Sequence, residues 1–206
     1  MKEELKRLIG DNEKILYEGK PDKKCFLFES IFNPLLIVAI IWAVFDFSMI
    51  KATFMDNSEE GYLYFMIPFL LFHMMPVWLY LGGVLLSRKK HKNTQYIVTD
   101  HAVYVSGGIF SKYFHTKPFA EMSHVNLHRG VFDQIFHVGD IILTTNQFIE
   151  GNRTATISLS SISDYAEVYK IVSKLQKDIY TDTMYPNDKR PPENHGYQTE
   201  YKGLEK

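Results

Sequence analysis

Apolar residues are concentrated between residues 31 and 86 and occur only in short runs elsewhere. The stretch from Gly61 to Ser87 has 27 residues without a formal charge, and the stretch from Ile31 to Ile50 has one charged residue, Asp46. A helix rises about 1.5 Å per residue, so about 20 apolar residues cross a hydrocarbon core of roughly 30 Å. The pattern therefore predicts a transmembrane helical hairpin over residues 31–87.

Basic residues flank the two apolar stretches, whereas acidic residues dominate the segment between them. That segment, KATFMDNSEE, has one lysine and three acidic residues. Short flanks rich in lysine and arginine stay on the cytoplasmic side. We therefore expect a cell-membrane protein that crosses the bilayer twice, with both termini in the cytoplasm. The basic flanks comprise Lys20, Lys23 and Lys24 before the first stretch and Arg88, Lys89, Lys90 and Lys92 after the second.

Asp46 and His73 lie within the predicted spans, where ionisable groups are candidates for ion or proton pathways. Counted from Ile31, Asp46 is about 22 Å along the first span and close to the outer surface. His73 is near the middle of the second span. A mismatch of about 10 Å follows from the helical rise. We therefore expect Asp46 at the interface and His73 packed against the neighbouring helix or a partner, without contact between them.

Short alternating segments follow the basic cluster, which is typical of β-strands. The segment NTQYIVTDHAVYVSGG predicts two strands around Asp100-His101 and a turn at Gly107-Gly108. More strands are predicted in IFSKYFHTKPF, MSHVNLHR, DIILTTN and ATISLS, and a helical turn in GVFDQIFHVGD. A closing amphipathic helix is predicted from apolar residues at spacings of three and four. These are Tyr165, Val168, Val172, Leu175 and Ile179.

Three segments of the chain carry a resemblance to a known family: Tyr96–His101 followed by Gly107-Gly108-Ile109, Arg129–Ile141, and Glu13–Glu18 followed by Pro21. They resemble segments of the bacterial pleckstrin-homology domains found in small two-helix membrane proteins. The family often has a glycine where this chain has His137. The resemblance covers about residues 12–180 and implies a pleckstrin-homology-like barrel next to a membrane. Its degenerate apolar patterns imply fold and architecture rather than an activity.

The expected fold class is α+β: a transmembrane helical hairpin, then an antiparallel β-barrel capped by a C-terminal helix. The expected parts are a cytoplasmic N-terminal segment (1–30), the hairpin (31–87), the pleckstrin-homology-like domain (88–180) and a tail (181–206). We expect the tail to be disordered, because it has no apolar period and contains three prolines.

Composition and motifs give no candidate catalytic residue, metal site or cofactor. The net charge of -1 gives no bias toward nucleic acid, and a single cysteine excludes an internal disulfide. His124 and His128 would lie about 13 Å apart on a strand, too far to share an ion. Asp133 and Asp140 occupy turn positions in the resembling family. We therefore expect a protein that is not an enzyme and has no nucleic-acid partner.

Two functions remain compatible with the sequence. The favoured one is a membrane-anchored cytoplasmic binding or scaffold module that contacts protein partners or itself. Phe132 and Phe136, four residues apart, are the candidate partner contacts. The basic run Arg88, Lys89, Lys90 and Lys92 leaves two alternatives open: a simple stop-transfer anchor, or an additional contact with the anionic inner leaflet. The alternative is an accessory subunit of a transporter or membrane-lipid enzyme, in which small residues such as Gly82-Gly83 pack against other helices.

Phosphoinositide headgroups are not expected ligands of the barrel. Each phosphate requires charge-assisted hydrogen bonds from basic side chains. The hairpin Tyr96–Gly108 contains no lysine or arginine, and Asp100 lies at its turn.

Overall fold

The computed structural model describes residues 2–55, 60–149 and 153–184 of the chain. Two compact units are present: Met1–Phe26 together with Lys90–Lys206, and Leu27–Lys89. We call the first the β domain and the second the helical unit. This division differs from the expected one, because residues 1–26 belong to the β domain rather than to a separate N-terminal segment.

The β domain contains two antiparallel sheets, ordered β1-β2-β3-β4 and β5-β6-β7. No ladder joins the sheets within the described residues, so the expectation of a closed barrel is wrong. Between them the chain passes through Pro118, which has no N–H to donate, and a 3₁₀ turn at Phe119–Glu121. The strands are Ile15–Gly19, Gln95–Thr99, Ala102–Gly107 and Tyr113–Pro118 in the first sheet, and Met122–His128, Gly139–Ile149 and Arg153–Ile162 in the second.

The two sheets and a long helix share one apolar core. Helix α7, Tyr165–Met184, contacts β5, β6 and the 3₁₀ turn. Its predicted apolar face is confirmed, since Val168, Val172 and Leu175 are fully buried. The helix includes residues 181–184, which were expected in the disordered tail, and residues 185–206 lie outside the described residues. Sheet residues in this core include Tyr96, Val98, Val103, Val105, Ile141, Leu143 and Leu159.

The first strand comes from the segment that precedes the helical unit. β1 pairs antiparallel with β2, placing Gly19 opposite Tyr96. Leu16 and Tyr17 are buried in the main core. A short helix α1, Lys2–Lys6, adds Leu5, which packs in a second cluster with Ile97 and Tyr104. Residues on both sides of the helical unit thus complete one sheet.

Two turns have backbone conformations that restrict their residues. Gly108, between β3 and β4, has a φ of 117°, and a Cβ there would lie 1.9 Å from the Ser111 carbonyl oxygen. The predicted glycine turn is therefore confirmed. The predicted helical turn is helix α6, Val131–Phe136, and it ends at His137 in the left-handed region with a φ of 54°.

Between β1 and β2, the described residues form four helices. They are α2 (Lys23–Ile31), α3 (Leu35–Met55), α4 (Glu60–His73) and α5 (Met75–Asn93). By length and composition, Leu35–Ala52 can cross a membrane. Tyr64–His73 and Met75–Asn93 meet at a 50° bend and qualify as a second span only if taken together.

The second apolar stretch is thus bent rather than continuous. The bend falls two residues before Pro76, which lacks an N–H and disfavours helical geometry in the residue that precedes it. Helix α5 then continues through the basic run to Asn93, beyond the expected boundary at Ser87.

Candidate functional surfaces

One end of the β domain contains both points at which the chain leaves and re-enters it. We call it the crossing end. β1 ends and β2 begins there. The β3–β4 turn is at the same end, because Gln95 pairs with Ser106 and Gly107 with Tyr113. Helix α6 also lies there, since the Cys25 thiol is 3.4 Å from an Asp133 carboxylate oxygen.

The opposite end, which we call the distal end, contains the β2–β3 turn and the 3₁₀ turn. The Phe119 N–H donates to the His101 carbonyl and joins these two turns.

The basic run lies in the last turns of α5, where the negative pole of the helix stabilises cationic side chains. Arg88, Lys89, Lys90 and Lys92 are all exposed. The Lys90 ammonium lies 5.8 Å from the centre of the Phe26 ring, and His91 Nε2 is 2.9 Å from the Pro21 carbonyl oxygen. Returning and departing chain segments therefore touch within the β domain. Two more exposed lysines, Lys23 and Lys24, begin α2.

Helix α6 exposes a different apolar pair from the one that the sequence indicated. Phe132 and Phe136 are partly buried. Val131 and Ile135 are 73% and 61% exposed. Both pairs have the same four-residue spacing, so spacing alone does not identify the outward face. The β3–β4 turn adds Phe110, which is 84% exposed.

Asp133 lies on the buried side of α6 and holds that side against the rest of the β domain through two hydrogen bonds. Its carboxylate accepts a hydrogen bond of 2.8 Å from the Gly130 N–H at the start of the helix. The other oxygen accepts from the Cys25 thiol, and both residues are buried. Arg129 braces the same segment by donating from Nε to the Val138 carbonyl while its guanidinium lies 4.6 Å from the Tyr165 ring centre. Asp133 therefore anchors α6 to the departing segment.

Asp140 and His128 lie beside Asp133, and ligand-type atoms of the three residues are within 4.8 Å of one another. Asp140 accepts the Ser161 N–H at 2.7 Å. Burial raises the pKa of Asp140, and the nearby Asp133 raises it further. The hydrogen bond from the Ser161 N–H and the nearby His128 lower the pKa but do not cancel this increase. Asp133 lies in α6 and Asp140 in β6, rather than in the turns expected for them. Since both carboxylates already bind backbone N–H groups, we assign them a structural role.

Asp46 and His73 meet in the helical unit, so the expectation that they lie apart is wrong. Asp46 is 1% exposed, and one carboxylate oxygen lies 2.6 Å from His73 Nδ1. The expected depth of Asp46 assumed that the first span begins at Ile31. Helix α3 begins at Leu35 instead, which puts Asp46 in the middle of the helix. The Trp42 indole N–H donates to the His73 carbonyl, and the Trp42 and Phe69 rings stack on the imidazole.

A cavity of about 430 Å³ opens at the distal end. Glu13 lines it, but its carboxylate already accepts hydrogen bonds from Thr99 and Tyr104. Burial and this carboxylate raise the pKa of Tyr104 to about 12. None of the described lining residues is a lysine or arginine, so the cavity does not suit a phosphate. They are Glu13, His101, Ala102, Tyr104, Thr116, Pro118, Ala120 and Ile179.

Sheets of four and three antiparallel strands with a C-terminal helix over the core define a pleckstrin-homology-like domain. The chain belongs to the bacterial PH domain family, whose sequence profile matches residues 28–176. That match extends from α2 into α7. No curated protein and no solved structure matches the chain. Domains of this class are generally non-catalytic, and membership indicates a binding or scaffold module.

Proposed function

We propose that this protein is a membrane-anchored cytoplasmic binding or scaffold module without catalytic activity. The observation that carries the proposal is the insertion of the helical unit between two paired strands. Because Gly19 lies opposite Tyr96 in one sheet, the intervening chain must start and finish on the same side of any bilayer that it crosses. Two crossings meet this condition, whereas one does not. Leu35–Ala52 supplies the first crossing, and the bent pair α4–α5 supplies the return.

The basic flanks orient the hairpin with both chain termini in the cytoplasm. The test is topological. A reporter fused at Met1 or Lys206 should be cytoplasmic, and one inserted near Asn57 should be external. Digestion of a Lys206 tag by protease added to intact cells would contradict the proposed orientation.

The module's main contacts are proposed to be proteins, including a second copy of the chain, with the anionic inner leaflet as a further contact. Inositol phosphates are not proposed ligands. The lysines nearest the first hairpin are engaged, Lys112 with Glu4 at 2.9 Å and Lys117 with Glu121 at 3.8 Å. Titration of the purified full chain with soluble inositol phosphates should give no saturable heat. Micromolar binding would contradict this assignment.

The alternative is an accessory subunit whose helices pack against those of a transporter or membrane-lipid enzyme. Gly82 and Gly83 favour it, because a Cβ at either position would have no described atom within 4 Å. Small residues of this kind let another helix approach closely. The substitution Gly83→Leu should then abolish co-purification of an integral membrane partner in mild detergent, whereas Gly83→Ala should preserve it. If both variants retain the same partners, this alternative is wrong.

A further inference from the structure

The crossing end of the β domain has two exposed apolar projections. One is Phe110 on the β3–β4 turn. The other is the pair Val131 and Ile135 on α6, whose side chains share a face because they are one helical turn apart. Asp133 lies on the inward side of the same helix and is buried. Large exposed apolar side chains that project from one end of a domain are typical of surfaces that contact a membrane or another protein.

Both projections lie beside the points where the chain leaves the β domain. The Asn93 side chain donates to the Gly108 carbonyl at 3.0 Å, which connects the end of α5 to the β3–β4 turn. On the other side, the Cys25 thiol contacts Asp133 of α6. Departing and returning segments therefore lie against the elements that present the apolar side chains.

Exposed cations accompany these apolar groups. Lys23 and Lys24 occupy the departing segment, and Lys90 and Lys92 occupy the returning one. A positively charged surface with a few projecting apolar side chains is complementary to an anionic bilayer, which offers surface phosphates above hydrocarbon. The distal end differs from the crossing end in charge, because acidic residues lie there: Asp100 in its turn and Glu13 in its cavity.

We propose that the crossing end docks on an anionic lipid surface and inserts Phe110, Val131 and Ile135 into its interface. This inference rests on the proposed membrane anchoring and specifies how the β domain is held there. The four lysines bind lipid phosphates, and the apolar side chains enter the boundary between headgroups and acyl chains. The distal end then faces the cytoplasm and is available to proteins.

Site-specific fluorescence in nanodiscs tests the docking surface in the full chain. The background is Cys25→Ser, which replaces the only cysteine and keeps a donor for Asp133. Single cysteines at Phe110, Val131 and Ile135 receive an environment-sensitive label. Ala120→Cys provides the matched control, because Ala120 is exposed in the 3₁₀ turn at the distal end. Ile41→Cys on α3 reports whether the helical unit lies in the bilayer.

In phosphatidylglycerol-containing discs with brominated acyl chains, we expect quenching at 110, 131 and 135 at least about twofold stronger than at 120. Changing Lys23, Lys24, Lys90 and Lys92 to glutamine should reduce this quenching, as should purely zwitterionic discs. Equal quenching at 120 and at the three test positions would overturn the proposal. Concentration-dependent shielding of 131 and 135 without lipid would also overturn it, in favour of self-association. Absence of quenching at Ile41 would overturn the membrane anchoring itself.

Discussion

His137 occupies a backbone conformation that most side chains disfavour. Its φ of 54° and ψ of 40° end α6 in the left-handed region, where glycine is the usual residue. Glycine, which the resemblance to the family implies at this position, adopts that conformation without strain.

We predict that His137→Val lowers the free energy of unfolding of the β domain by about 1–2 kcal/mol, because a β-branched residue is strained in left-handed geometry. His137→Gly should be at least as stable as the original chain, since glycine adopts this conformation without strain. Urea unfolding of the three proteins in the same detergent is the measurement. Equal stability of the valine and glycine variants would show that left-handed geometry at residue 137 has no energetic consequence.

Asp140 gives a pH dependence whose sign follows from its environment. Its pKa is raised from the ordinary value of 3.8, so the folded domain binds this proton more tightly than the unfolded chain. The stability that this proton binding contributes is fully present below the pKa that Asp140 has in the unfolded chain. It is lost as the pH rises through the pKa that Asp140 has in the folded domain.

We therefore expect the stability of the original chain relative to Asp140→Asn to increase as pH falls from 7 toward 4. Asparagine keeps a carbonyl oxygen for the Ser161 N–H but does not titrate. Asp11→Asn, at an exposed position before β1, controls for the loss of one negative charge. Denaturant midpoints measured across this pH range provide the data. A constant difference between the original chain and Asp140→Asn would contradict the raised pKa.

At the scale of elements, the Asp46–His73 pair joins α3 to α4. The second Asp46 oxygen has no hydrogen-bond partner within the described residues. A buried charge that loses its partner costs much more than a pair replaced by apolar residues of similar volume. The energetic importance of the pair therefore appears most clearly when only one member is removed.

We predict that His73→Leu destabilises the helical unit by about 3 kcal/mol or more, because it leaves the Asp46 carboxylate unpaired. The double variant Asp46→Leu/His73→Leu should recover most of this loss. Thermal unfolding of the single and double variants in lipid nanodiscs, followed by the fluorescence of Trp42 and Trp78, completes a double-mutant cycle. Additive effects of the two substitutions would show that the pair does not couple the helices.

Elements with a local pattern could be predicted from the sequence, and those fixed by distant partners could not. Tyr96, Val98, Val103 and Val105 alternate within their own strands and identify β2 and β3. β1 has five residues and depends on a partner strand that begins at Gln95.

The outward face of α6 could not be predicted from the sequence for a related reason. Its six residues contain two apolar pairs, and contacts outside the helix, such as that between Asp133 and Cys25, determine which pair faces the core.

For the whole molecule, the β domain is discontinuous in sequence, so its stability depends on both chain segments. Replacing residues 27–89 by a short glycine–serine linker that joins Phe26 to Lys90 should give a domain that folds without lipid. A chain beginning at Lys90 lacks β1 and should not fold, because Leu16 and Tyr17 are part of the main core.

Thermal melting followed by circular dichroism distinguishes the linked protein from the chain that begins at Lys90. Leu16→Asp in the linked protein is the matched control and should abolish the cooperative transition. An equally cooperative melt for residues 90–206 alone would contradict the dependence on β1.

The position of the helical unit also sets an order of events during synthesis. β1 emerges from the ribosome long before β2, since Gly19 and Gln95 are 76 positions apart. At roughly 5–20 residues per second, the first strand waits about 4–15 s for its neighbour. In the proposed two-crossing topology, the apolar helices are complete within that interval, so their delivery to the translocation machinery precedes closure of the sheet. In that topology, a chain whose second crossing failed would leave β1 and β2 in different compartments. Such a chain could not complete its first sheet, and its exposed strands would mark it for proteolysis.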